Sequence, residues 1–248
     1  MQDCVTRVIR KRKKKNGTTF VIFASLLFLL IFFISAILVV SKRSNVCFES
    51  RKLFAVYVDK NKNLNLLADM QSRVKSLGGA GVFFQKNNDY YLIASIYNDK
   101  GDAKEVLENL RKEFESADVL EIDCKAISKK FQNQLKQNNE YFELFNFLYE
   151  FLLNCEKMCF EYNKGVLSEG GFMSKLLAEK LELQTMINQA SRVDCEDLRV
   201  LIDYSNLIVV HFENLFDKFY SSDKKCSLSY EFFVNFCLTY VDLCNNLQ

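Results

Sequence analysis

The chain has no proline, no tryptophan, one histidine and eight glycines among its 248 residues. Without proline there is no cis-proline turn and no proline-rich linker. A single histidine, His211, excludes a multi-histidine metal site and leaves one candidate for any histidine-based triad. None of the nine cysteines forms a Cys-x-x-Cys pair, which removes the strongest zinc signature. What is present is globular: 49% apolar, 26% charged and rich in phenylalanine, with 23. That composition excludes a disordered tail, a collagen-like rod and a disulfide-dense mini-protein.

The net charge of +2 is unevenly placed. Residues 1–17 hold seven Lys/Arg against Asp3, a net +6, so the rest of the chain sums to −4. A mildly acidic body disfavours nucleic-acid binding, which depends on neutralising phosphates. Phe20 to Val40 is an uncharged run of 21 residues. At about 1.5 Å per residue it matches the roughly 30 Å hydrocarbon core of a bilayer. It is too long for the apolar core of a signal peptide, and no small-x-small cleavage site follows it. The expectation is a cytoplasmic basic arm over 1–17, a transmembrane helix over 18–41 in contact with membrane lipid, and residues 42–248 outside, because the basic residues precede the run.

Residues 52–124 switch period repeatedly. KLFAVYVDK (52–60) alternates like a strand, and LNLLADMQSRVKSLGG (64–79) has helical spacing that stops at Gly78-Gly79. GVFFQK (81–86) reads as a strand, Asn87-Asn88-Asp89 as a turn and YYLIASIY (90–97) as a strand. AKEVLENLRKEF (103–114) is amphipathic, and VLEID (119–123) alternates again. The order βαββαβ predicts a ferredoxin-like four-stranded sheet with both helices on one face.

This stretch resembles the SPOR (sporulation-related repeat) family of peptidoglycan-binding domains. Phe54-Ala55-Val56-Tyr57-Val58-Asp59 is similar to the family's first strand, aromatic-x-Val-Gln-Val-Gly. Tyr90 to Tyr97 is similar to the strand before its second helix, and Asn98 to Ala103 fits the turn that opens that helix. Asp59 stands where the family has glycine, Tyr57 where it has glutamine, and Ser95-Ile96 where it has Gly-Pro. The resemblance covers about 70 of the 248 residues. It implies a glycan-binding sheet face. By alternation Val56, Val58, Leu92 and Ala94 point to the helices. Tyr57, Asp59, Tyr91, Ile93 and Ser95 then share the open face, joined by Phe83 and Gln85 from the second strand. Aromatic rings beside hydrogen-bonding groups suit a sugar.

From Ala126 the period is helical throughout. The spacing predicts one helix from 126 to about 162, a loop over 163–171, a helix over 172–190, a third helix capped by Asp194 and a last helix over 228–246. Four antiparallel helices predict a bundle over 126–248, separate from the sheet domain. His211 sits on an apolar stripe and reads as a satisfied core residue. Glu169 reads as a solvated loop residue, since a glycosidase needs a second, matched carboxylate. Cys155 and Cys159 are one turn apart on one helix, and Cys237 and Cys244 two turns apart on another. Two such pairs could form disulfides or hold a metal, but they fit better as small buried hydrophobes.

The expected fold class is α+β: a single N-terminal transmembrane helix, a βαββαβ SPOR-like module over 52–124 and an all-α C-terminal bundle. The expected function is non-enzymatic binding of peptidoglycan glycan strands at the bacterial cell membrane, in cell division or sporulation. No cofactor, metal or nucleic acid is expected, and the helical part is expected to bind an envelope protein. The alternative is a structural subunit that assembles through a ring-building module. Retention on cell-wall sacculi separates the two.

Overall fold

The structure, a computed structural model, describes residues 48–248. Strand β1 (Arg51–Asn61) is followed by helix α1 (Asn65–Ser76), strands β2 (Val82–Lys86) and β3 (Asp89–Tyr97), helix α2 (Lys100–Leu110) and strand β4 (Asp118–Cys124). The strands form one antiparallel sheet in the order β2-β3-β1-β4, so β1 and β3 are central. The punctuation follows from local chemistry. Gly78, at φ +87°, ends α1. Gly78 N–H then donates to Lys75 O, and Gly79 N–H to Val74 O at 3.0 Å, which together make a Schellman cap. A Cβ on Gly79 would lie 2.7 Å from the Val74 side chain, so the close approach of α1 to the sheet requires glycine there. Asn87 and Asn88 both have positive φ and close the β2–β3 hairpin in the two-residue turn that asparagine tolerates. Asp99 caps α2 by accepting from Gly101 N–H at 2.6 Å and Asp102 N–H at 3.2 Å.

Helices α1 and α2 cover one face of the sheet. Val56, Val58, Leu92 and Ala94 point into that layer and pack with Val74, Ala103, Leu107 and Phe114. The second face carries Leu53, Ala55, Ile93 and Ile122, all buried. Its cover comes from the C-terminal half.

That half comprises α3 (Lys129–Gln137), α4 (Asn139–Asn163), α5 (Glu169–Ala190), a short 3-10 turn (Glu196–Leu198), α6 (Arg199–Phe219) and α7 (Lys225–Asn246). The long first helix expected over 126–162 is two helices. The chain leaves helical geometry at Asn138 (φ −119°, ψ 94°), whose amide instead donates to Gln134 O at 2.8 Å. Helix α5 begins three residues earlier than expected, because Ser168 caps it and draws Gly170 and Gly171 into its first turn. Asp194 is not the cap of α6: the 3-10 turn intervenes and Leu198 precedes the helix. Helices α4 to α7 pack around aromatic side chains. Phe151 lies at the centre, with ring centroids 4.9 Å from Phe236 and 5.5 Å from Phe212.

Helix α7 has a double role. Phe232, Phe236 and Tyr240 face the bundle, while α7 also crosses β2, β3 and β4. Twelve of its 22 residues are buried, so it is apolar on nearly every side, as a helix enclosed by two layers must be. Polar ties reinforce the join. Ser227 Oγ donates to Gly79 O at 2.8 Å, and Lys75 pairs with Glu231 at 2.6 Å.

The expected fold class is therefore corrected. The described residues are an α+β arrangement of seven helices and a four-stranded antiparallel sheet, and 48–248 belong to one compact unit. No helix among the described residues is long and apolar enough to cross a membrane. The expected basic arm and membrane segment, 1–41, lie outside the described residues, as do Cys4 and Cys47.

Candidate functional site

The sheet face expected to bind glycan is largely dismantled by register and by burial. Tyr57 pairs with Ile93 and shares its face with Tyr91, and the two tyrosine rings meet edge-on at 5.1 Å. Ile93 is 0% exposed and Tyr91 9%. Phe83 pairs with Leu92 and packs in the α1/α2 layer, so Phe83 and Gln85 point away from Tyr91; Val82 and Phe84 take the places assigned to them. Pleating makes this an all-or-none matter, since one residue of register exchanges the faces. The β1–β3 ladder slips at Ala94, which sets Ser95 opposite Val56 of the helix-facing core, where it is 5% exposed. A second slip, at Val58, sets Asp59 opposite Leu92, and its carboxylate accepts from Lys60 N–H at 2.8 Å. Of the seven expected residues, Tyr57 and Tyr91 are brought together with a half-exposed ring, and the others are buried or turned elsewhere.

A cleft of about 380 Å³ opens instead between α2, α4, α7 and the end of β3. Its size falls in the range of small-ligand sites. The floor and walls are Ile96, Val106, Leu153, Phe160 and Phe233, with the phenols Tyr97 and Tyr230. Phe160 stays 46% exposed and Leu153 37% exposed, so both present apolar surface to the cleft. Four carboxylates surround this apolar lining: Asp99 and Asp102 at the start of α2, Glu105 one turn on, and Glu156 from α4. Among the described residues none of the four is in an ion pair with Lys or Arg. The one basic residue of the lining, Lys157, lies 3.8 Å from Glu161 outside it. Lys164 rests over the Phe160 ring, 4.1 Å from its centroid, so that ring already attracts an ammonium group.

Glu156 is the deepest carboxylate. It accepts from the backbone N–H and the side-chain amide of Asn98, and Asn98 Oδ1 in turn accepts from Arg51 at 2.6 Å. Burial raises its pKa, opposed by the Asn98 hydrogen bonds. Burial likewise raises Tyr97 and Tyr230, so both remain neutral hydroxyls facing the acids. The lining contains no His, Cys, Ser or Thr. The arrangement holds charge in place and has no nucleophile paired with a base.

The other residues singled out in the sequence lie elsewhere. His211 Nε2 is 2.9 Å from Thr239 Oγ1 on α7, and burial lowers its pKa, so it is a neutral packed imidazole. Glu169 is not free in a loop: it stands in the first turn of α5 and pairs with Lys225 at 2.8 Å. All seven described cysteines are free thiols, and no group of three His, Cys, Asp or Glu among the described residues could hold a metal. No family model matches the chain, and no curated protein or solved structure matches it.

Proposed function

We propose that the chain is a non-catalytic binding module whose ligand is an amphipathic cation, an amine carried on an apolar body, seated in the cleft between α2, α4 and α7. The observation that supports this is the ring of Asp99, Asp102, Glu105 and Glu156 around an apolar floor, with no ion pair to any of them among the described residues. An ammonium group gains charge-assisted hydrogen bonds there, while its apolar body covers Leu153 and Phe160. A neutral or anionic ligand of the same shape covers the same apolar surface without adding a positive charge to pair with the four carboxylates.

The test is calorimetric titration of the full chain with phenethylammonium, phenethyl alcohol and phenylacetate. Fragments of this size bind at about 1 mM. The cation is expected to bind at least about tenfold tighter than the alcohol, a difference of about 1.4 kcal/mol, and phenylacetate not at all. Glu156→Gln and Asp102→Asn should each weaken the cation about fivefold. Equal affinity for the cation and the alcohol overturns the reading.

Peptidoglycan binding at the sheet face is a second reading, supported by the half-exposed Tyr57 ring packed on Tyr91. Retention on purified sacculi that is lost in Tyr57→Ala and kept in Glu156→Gln favours it over the cleft.

A further inference from the structure

The buried thiols fall into two groups. Cys155 and Cys159 on α4 lie near Cys237 on α7, and all three are fully buried. Burial pushes Cys155 and Cys237 well above the ordinary thiol range, which leaves them unreactive. Cys124 and Cys244 are placed differently. Cys124 is the last residue of β4 and sits directly opposite Arg51 in the ladder. Cys244 is in the last turn of α7.

The chain just after Cys124 is tied to the chain just after Cys244. Ser128 N–H donates to Leu247 O at 3.0 Å, and Lys125 Nζ to Gln248 Oε1 at 3.1 Å. Within this frame the Cys124 and Cys244 thiols are close enough to shift each other's titration, and Tyr240 lies one turn before Cys244 on α7. Arg51 supplies a further observation. Its Nη2 is spent on Asn98, but its Nη1 is buried with no hydrogen-bond partner among the described residues. A buried guanidinium N–H without an acceptor, beside a thiol pair, is poised to hold a negative charge formed on sulfur or oxygen. Interaction with Cys244, aided by the Arg51 charge, lowers the Cys124 pKa. Cys124 stands directly opposite Arg51 in the ladder, and that placement assigns it as the nucleophile of the pair and Cys244 as the partner thiol.

We propose that Cys124 and Cys244 form an oxidisable dithiol that a hydroperoxide converts to a disulfide joining the end of β4 to the last turn of α7. With hydrogen peroxide the Cys124 thiolate attacks one peroxide oxygen: an S–O bond forms, the O–O bond breaks, and the departing hydroxide takes a proton to become water. Cys124 is then a sulfenic acid, oxidised by two electrons, and the peroxide has been reduced. Cys244 sulfur attacks Cys124 sulfur as its own proton leaves. The S–S bond forms, the S–O bond breaks, and the hydroxide leaves as a second water. Two thiols and one peroxide become one disulfide and two waters.

The test treats the reduced full chain with hydrogen peroxide, blocks remaining thiols with an alkylating agent and maps peptides without reduction. The expected product is a peptide joining Cys124 to Cys244, lighter by two hydrogens than its two reduced components and lost on reduction. It should form at least about tenfold faster than any oxidation of Cys155, Cys159 or Cys237. In Cys244→Ala the linked peptide is lost, and Cys124 is captured as a sulfenic acid by a cyclic dione. Cys237→Ala, a substitution in the same helix, leaves the linked peptide unchanged. The proposal is overturned if Cys124 and Cys244 stay reduced while exposed Cys226 is oxidised. It is equally overturned if the cross-links formed join other cysteines.

Discussion

Ile93→Ala measures how far the sheet and the helices are one structure. Ile93 is fully buried in the middle of β3, on the face opposite α1 and α2, where α7 crosses the sheet. The substitution removes three carbons. At about 0.8 kcal/mol each, the lost transfer energy is about 2.4 kcal/mol. The partly collapsed cavity adds about 1 kcal/mol, for a total of about 3 to 4 kcal/mol. For a unit of this size that is a fall of about 10 °C in Tm. The free thiols supply site-resolved probes. Cys124 reports the sheet, and Cys155 and Cys159 report the bundle. In urea, pulsed thiol labelling read by mass spectrometry should show all three becoming reactive at one midpoint, and in Ile93→Ala that midpoint should fall for all three together. Val166→Ala, at a residue 75% exposed, should change stability by less than about 0.5 kcal/mol. If Ile93→Ala lowers the midpoint for Cys124 and leaves that of Cys155 and Cys159 in place, the shared-core reasoning is wrong.

Other outcomes follow from backbone geometry and titration. Gly78→Ala places a side chain at φ +87° and should cost about 1–2 kcal/mol by thermal unfolding, whereas Gly170→Ala, in the first turn of α5 with open space around its Cβ position, should stabilise by about 0.5 kcal/mol. His211 and Glu156 pull stability in opposite directions with pH. Burial lowers the His211 pKa from 6.5, so its contribution is present above pH 6.5 and is lost as the pH falls toward the folded value. Burial raises the Glu156 pKa from 4.5, so its contribution is present below pH 4.5 and is lost as the pH rises through the folded value. Urea midpoints measured across pH 4 to 7 should therefore lose their acid-side fall in His211→Gln and their fall toward neutrality in Glu156→Gln.

The elements of the sheet were legible because their signals are local. Gly78-Gly79 ends a helix and Asn87-Asn88 closes a hairpin whatever surrounds them, and alternation alone placed Val56, Val58, Leu92 and Ala94 in the helix-facing core. The assignment of the second face failed where one residue of register decides. The slips at Val58 and Ala94 and the Phe83/Phe84 phase are properties of paired strands, and neither strand displays them alone. The cover supplied by α7 was foreshadowed in YEFFVNFCLTYVDLC, which is apolar on too many sides for a helix with one wet face. The cleft carried no linear signal. Asp99, Asp102 and Glu105 read as a helix start, and Glu156 lies some 50 residues further on, within a run dominated by the bundle core. The exposed Phe160 and Leu153 beside Glu156 were the only trace, visible once the packed face of α4 is known.

The double use of α7 sets an order on biosynthesis. Residues of β3 wait for a cover that begins at Lys225, about 130 residues later in the chain. At ribosomal speed that interval is on the order of 10 s, far longer than a hairpin needs to form. During it, the β2-β3-β1-β4 sheet can pack α1 and α2 on one side while Leu53, Ala55, Ile93 and Ile122 remain open to water on the other. A nascent chain arrested before α7 emerges should expose that apolar face to chaperones and to other nascent sheets, and the last helix is the segment whose arrival ends the hazard.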